Sequence, residues 1–291
     1  MPKQKTVSVW VAGEALIDLF HRGEERIPIV GGGPANTAKA LARLGIPTFF
    51  IGGISSDKYG ELIEQELEGH GVDLKYVNRS NLETAMAIVT LNESGSASYE
   101  FKLSDTATFD FGDWLPKGKP DVLYLGTLAT IVEPGANALY EWAKDSGAPI
   151  VFDPNVRTSV LNHRDTYRRA FERWARISKL VKLSNEDLDW LGYSAEEILG
   201  FGVDLAVVTM GEAGLSGFSD SGEINIPGIK VDVVDTVGAG DTVGAVLVEG
   251  MLKFGDSLND NLEAVLRRAA LAAAITCARE GAKPPSSEEL N

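Results

Sequence analysis

Asp235-Thr236-Val237-Gly238-Ala239-Gly240-Asp241 runs straight into Thr242-Val243-Gly244-Ala245-Val246-Leu247-Val248. The second half is apolar on every side, the pattern of a helix buried all round. The first half then becomes the N-terminal turn of that helix. Its small residues, Gly238, Ala239 and Gly240, let successive backbone N–H groups converge on one point, with the helix dipole behind them. That is an anion hole. Asp241 stands beside it, where dipole and donors favour the ionised carboxylate. Such a group can take the proton of a substrate hydroxyl as the oxygen attacks a γ-phosphate. Taken alone, residues 238–241 also read as a plain helix cap on a core helix. The buried helix after them and Asp235 before them favour the chemical reading.

Outward from this segment the chain alternates. Short β-branched runs at 7–12, 48–52, 122–125, 150–153, 180–183 and 205–209 read as strands. Longer amphipathic runs at 57–68, 134–146, 165–177 and 262–279 read as helices. Alternation of this kind predicts a mainly parallel sheet with helices on both faces. Residues 15–30 and 84–102 break the pattern. In the latter, two apolar runs flank the turn Asn92-Glu93-Ser94-Gly95. Strands without crossover helices do not fit the core, so these segments predict a small β lid, against the alternative of two extra edge strands on the main sheet.

Residues just past the core strands are small or polar: Gly52-Gly53, Gly126-Thr127, Asp153-Pro154-Asn155, Ser184-Asn185 and Thr209-Met210-Gly211. Ligands of open α/β sheets bind outside the carboxyl ends of the strands, which points to one shared crevice. Gly31-Gly32-Gly33-Pro34-Ala35-Asn36 forms a glycine turn feeding a second helix, with Asn36 in its first turn offering a donor and an acceptor. Arg157, in Asp153-Pro154-Asn155-Val156-Arg157, can clamp a phosphate or carboxylate, or simply pair with Asp165 or Glu172 on the surface. Thr209-Met210-Gly211-Glu212-Ala213-Gly214 suits nucleotide contact and a plain turn equally.

Composition sets the outer limits. The chain has 291 residues and a formal net charge of −15, with no basic stripe for nucleic acid, so a nucleotide must be held by local features. No apolar run approaches the roughly 20 residues that cross a bilayer, and no signal peptide is expected. A lone cysteine, Cys277, allows no intrachain disulfide and favours a cytoplasmic setting; its apolar neighbours predict a buried inert thiol. No segment fits a Walker A loop. The dinucleotide fingerprint fails because Val243 stands where its third glycine belongs.

Together these segments resemble the ribokinase-like (PfkB-type) carbohydrate kinase family, over nearly the whole chain. Gly32-Gly33-x-x-Asn36 looks like its N-terminal signature and Asp235-Thr236-x-Gly238-Ala239-Gly240-Asp241 like its specific C-terminal one. The resemblance implies a three-layer α/β/α core with a β lid from about 15–30 and 84–111, in one kinase domain over 1–291. It implies Asp241 as catalytic base with residues 238–240 as anion hole. It places Asp18, Gly32, Gly33, Asn36, Arg157 and Asp241 at the sugar. Tyr99, Glu100, Phe101 and Lys102 are the candidates from the lid, where strand alternation turns only half of them inward; Glu100 and Lys102 are taken as substrate contacts. Ser184, Thr209, Gly211, Gly214, Gly238, Gly240 and Cys277 fall on the ATP side. Mg²⁺ accompanies ATP, with Asp187 as a water-mediated contact, although Ser184 replaces the family's usual Asn in that motif. K⁺ is a further candidate near Asp235 and the run 273–284.

The segments at 13–18, 153–157 and 235–237 look closest to fructokinases, giving fructose to fructose 6-phosphate. Kinases of 2-keto-3-deoxygluconate share the Asp-x-Asn-x-Arg element and stand as the alternative. A non-catalytic sugar or nucleotide sensor is the alternative of a different class; the intact Asp241 argues against it. ATP and a small sugar are the expected partners, with no nucleic acid, no membrane, and a homodimer through the lid.

Overall fold

The computed structural model describes residues 7–22, 25–91 and 97–291. The expected turn at 92–95 and the side chain of Tyr99, another candidate for the sugar side of the lid, lie outside the described residues. The N-terminal half contains strands β1 (Val9–Ala12), β2 (Leu16–Arg22) and β3 (Glu25–Gly31), helix α1 (Gly33–Arg43), strands β4 (Thr48–Ile51) and β5 (Gly53–Ser55), and helix α2 (Lys58–Gly69). Then come β6 (Asn78–Ser80), β7 (Met86–Leu91), β8 (Ala97–Lys102), β9 (Val122–Gly126), α3 (Gly135–Asp145), β10 (Ile150–Asp153) and α4 (Arg164–Ala175). The last third contains β11 (Leu180–Ser184), α5 (Asn185–Leu191), α6 (Ala195–Leu199), β12 (Leu205–Thr209), β13 (Gly214–Ser219), β14 (Gly222–Pro227), α7 (Ala239–Phe254) and α8 (Leu262–Cys277).

One eight-stranded sheet runs in the order β14-β13-β12-β11-β10-β9-β1-β4. From β4 to β12 every pairing is parallel. Side-chain alternation builds two cores, one on each face. Val9, Val11, Val122, Tyr124 and Val151 pack with residues of α1, α2, α7 and α8. Trp10, Ala12, Leu123, Leu125 and Phe152 pack with residues of α3, α4 and α6. Strands covered on both faces need apolar residues at every position, which is why their runs are continuous in sequence. This is the expected three-layer architecture. Among the described residues no helix is long and apolar enough to cross a membrane.

The smaller sheet has the order β3-β2-β7-β8. It is made of the two expected hairpins, and a parallel pairing of β2 with β7 joins them. The register puts Asp18 beside Ala87 and Ala87 beside Phe101, so these share one face. Glu100 and Lys102 fall on the opposite face, with Leu19 and Ile17, whose side chains are buried in the core. Half of the expected sugar-facing positions on β8 are thereby turned away from Asp18, as the two-residue period of a strand requires. Two further features had no forecast: the antiparallel pair β13–β14 at the sheet edge, and a short parallel pair of β5 with β6.

Candidate active site

Helix α7 begins as its composition demands. Gly238 is the cap, at φ 80°, a left-handed conformation that costs glycine nothing. Asp241 is then the third helical residue, and its side chain does not cap the helix. Instead the carboxylate accepts a 2.9 Å hydrogen bond from Asn36 Nδ2 on α1, 205 residues away in sequence. The two signature helices therefore meet at this bond. Asp241 is only 8% exposed. Burial pushes its pKa up to about 6, with nearby Lys182 pulling the other way and Asp153 adding to the rise. An aspartate tuned this way is a better general base near neutral pH than an ordinary one.

Around Gly33 the chain closes in. A Cβ there would lie 2.7 Å from Thr127 Oγ1, 3.2 Å from Asn155 Nδ2 and 3.3 Å from Asp241 Oδ1. Only glycine leaves this corner open. The ends of β9, β10 and α7 thus meet at one point, as the polar strand ends predicted. On the lid side, a Cβ on Gly31 would collide with Asp18 Oδ2. Burial raises the pKa of Asp18, and the Arg157 guanidinium opposes that rise. Arg157 also favours the ionised forms of Glu14 and Asp241, so its charge is directed at the site. The surface pairing is not what forms: Glu172 accepts from Tyr193 Oη at 2.5 Å and faces Arg176 at 3.9 Å.

Three buried polar groups near Asp241 had no forecast. Lys182 on β11 is 5% exposed and pairs with Asp153 at 2.8 Å. Its Nζ sits 2.9 Å from where a Cβ on Gly240 would be, against the N-terminal turn of α7 where the anion hole is expected. Tyr124 Oη donates to the same Asp153 oxygen at 3.1 Å, leaving Asp153 Oδ1 buried without a partner. Glu14 is fully buried and accepts from Leu128 N at 3.4 Å and Ala129 N at 3.0 Å. The signal was present in each case. Lys182 interrupts an otherwise apolar strand, and Glu14 follows one; a charge at such a position is almost never buried unless paired.

The segments expected to meet the nucleotide are more open. Thr209 and Gly211 are partly or fully exposed, and a Cβ on Gly211 would meet nothing within 4 Å. Gly214, by contrast, is pressed against backbone of the β14 turn, which gives it a packing reason to be glycine. Ser184 caps α5, accepting from Asp187 N at 3.0 Å, while Asp187 accepts from Ser184 N at 3.1 Å and from Val156 N at 2.9 Å. Both oxygens of the expected Mg²⁺ contact are therefore engaged by backbone. Asp235 accepts from Val237 N at 3.0 Å and from Gly281 N at 2.9 Å, fastening the loop before α7 to the C-terminal run. Cys277 is half-buried rather than buried, and burial together with Asp235 keeps its thiol protonated. Between β14 and α7 lie the exposed apolar side chains of Ile229, Val231, Val233, Val234 and Val237.

A sequence profile described as "pfkB family carbohydrate kinase" matches residues 14–289. A fructokinase of Rhizobium leguminosarum bv. trifolii is 35% identical over 281 residues, spanning 89% of this chain and 84% of that one. The crystal structure of fructokinase from Vibrio cholerae O395, in its fructose-, ADP- and calcium-bound form, aligns with a TM-score of 0.85 at 26% identity and 98% of both chains. Aminoimidazole riboside kinase from Salmonella enterica, complexed with aminoimidazole riboside and an ATP analog, aligns with a TM-score of 0.84 at 25% identity, also over 98% of both.

Proposed function

The chain belongs to the pfkB family of carbohydrate kinases, and from that premise we propose that its sugar is fructose, converted to fructose 6-phosphate. That it is an ATP-dependent sugar kinase follows from the family match and the relatives. The observation carrying the chemistry is the buried Asp241, held by Asn36 at the N-terminus of α7. Fructose is favoured by the likeness to two fructokinases.

In the proposed reaction Asp241 takes the proton of the acceptor hydroxyl. The acceptor oxygen bonds to the γ-phosphorus, the bond from phosphorus to the β–γ bridging oxygen breaks, and its electrons leave with ADP. The N–H groups of residues 238–240 receive the phosphoryl charge, with Lys182 beneath them. Asp18, Gly32, Gly33 and Arg157 line the sugar. Thr209, Gly211, Cys277 and the exposed valines of the 229–237 loop line the nucleotide, an apolar patch of the kind that marks a binding surface.

Among the described residues no three acidic, histidine or cysteine side chains cluster to hold a metal. That suits a Mg²⁺ ion bound mainly through ATP phosphates and water, where it would neutralise phosphate charge. K⁺ near Asp235, a dimer through the smaller sheet, whose Phe20, Ile27 and Ile29 are exposed, and a cytoplasmic setting belong to the same proposal.

The test is ADP release with a panel of sugars under Mg²⁺-ATP. Fructose should give the highest rate. Faster turnover of 2-keto-3-deoxygluconate would overturn the fructose assignment, and binding without any ADP release would make the chain a sensor. Unchanged rates when K⁺ is replaced by a large organic cation would remove the potassium site.

A further inference from the structure

Three non-glycine residues among those described have left-handed backbone: Asp105 at φ 55°, Thr127 at 58° and Asn155 at 38°. Such conformations cost of order 1–3 kcal/mol each and persist only where the surroundings impose them. For Thr127, which is β-branched, the conformation is a genuine outlier. Two of the three sit just past adjacent core strands, β9 and β10, and their side chains end at the Gly33 corner beside Asp241.

Each is imposed in the same way. The N–H groups after Thr127, on Leu128 and Ala129, are held by the buried carboxylate of Glu14. The N–H after Asn155, on Val156, is held at 2.9 Å by the buried carboxylate of Asp187. Two costly buried acids thus clamp two costly backbone turns. Yet Thr127 Oγ1 and Asn155 Nδ2 have no hydrogen-bond partner among the described residues. Thr127 Oγ1, Asn155 Nδ2 and Asp241 Oδ1 all lie within 3.3 Å of where a Cβ on Gly33 would be, so the three polar ends gather round the opening that this glycine leaves.

We propose that Thr127 and Asn155 hold the acceptor hydroxyl against Asp241, and that Glu14 and Asp187 are the positioning residues that set them. Thr127 donates its hydroxyl proton and Asn155 its amide N–H to the hydroxyl oxygen, and Asp241 accepts the hydroxyl's own proton. The hydroxyl is then oriented before ATP arrives. The role of Asp187 passes from the metal to the sugar. This inference rests on the sugar kinase reading of the same site.

The experiment uses the full chain with fructose and Mg²⁺-ATP, together with calorimetric sugar binding without nucleotide. Thr127→Val removes the hydroxyl at constant shape, and Asn155→Gly removes the amide while relieving the backbone. Each should lower kcat/KM for sugar about tenfold, the worth of one well-made hydrogen bond, with KM for ATP within about twofold. Thr127→Ser should restore most of the rate. Asp187→Ala and Glu14→Gln should raise the sugar KM, while the Mg²⁺ concentration for half-maximal rate stays unchanged. Thr127→Val and Asn155→Gly both within about twofold of wild type, in turnover and in sugar binding, would overturn the assignment. An Asp187→Ala enzyme that needs more Mg²⁺ but binds sugar normally would return that residue to the metal. A wild-type chain that phosphorylates no sugar refutes the kinase reading instead, and sugar binding by the variants still decides whether Thr127 and Asn155 contact the sugar.

Discussion

The two sides of Asp241 are built on opposite plans. On the acceptor side Thr127 is 6% exposed and Asn36 7%, and turns are pinned by buried carboxylates. On the side proposed for the nucleotide Val233, Val234 and Val237 are 63%, 62% and 53% exposed, on a loop without regular structure. The difference follows from what each side has to do. Orienting one hydroxyl needs polar atoms fixed to a fraction of an ångström before the ligand arrives. Receiving a flat heteroaromatic base needs apolar area that the ligand itself covers, so that area stands open in the free chain.

That contrast can be broken at several points. The largest effect falls between the halves. Asp241→Asn should lower kcat by about 10²–10⁴ while sugar and nucleotide still bind, because a general base contributes about that much. An Asn variant with near wild-type turnover would refute the assignment. Because the Asp241 pKa is raised to about 6 by burial, kcat/KM should fall as pH drops through about 6, where the base becomes protonated. An acid limb at pH 4 would show that Asp241 keeps its ordinary affinity for protons.

Next, if the acceptor side depends on locked buried charge, Asp153→Asn should destabilise the fold by about 3–5 kcal/mol in urea unfolding. The substitution strands Lys182 as an unpaired buried cation. A loss below about 1 kcal/mol would mean that the pair is replaceable.

A smaller effect is set by Glu14, whose pKa burial raises from 4.5 to about 7. Between these values the folded chain holds a proton that the unfolded chain has lost, so stability is full below about 4.5 and declines as pH rises through 7. The expected decline is about 3 kcal/mol. Glu14→Gln should flatten that slope in unfolding measurements between pH 5 and 8. The smallest effect tests the open side. Val233→Ser with Val234→Ser should raise KM for ATP by about three- to tenfold through lost apolar contact, and leave the sugar KM alone. A change in sugar KM instead would mean that the halves are not separate.

Much of this was legible in the chain. The continuous apolar runs at 122–125 and 150–153 could only be strands covered on both faces, and α7 had to be buried. Gly33, Asn36 and Asp241 could be singled out because they stand at fixed spacing from helix starts, and the structure brings the three together. Glu100 and Lys102 misled because alternation leaves two choices of face, and only pairing through Ala87 selects one. Ser184 and Asp187 form the capping box of α5, a role the sequence did not separate from ligand contact because the same residue types serve both. Lys182 and Glu14 announced themselves as charges in or beside apolar strands, but a sequence does not say which partner a buried charge finds.

The layers, and Asp241 as the candidate base, were readable from the chain alone, because burial pattern and helix-start chemistry are local properties carried by residues a few positions apart. What surrounds Asp241 emerges only once the chain is folded. Asn36 reaches it from 205 residues away, and Thr127, Asn155 and Lys182 arrive on three different strands, because the order in which parallel strands pair is set by packing across the whole sheet.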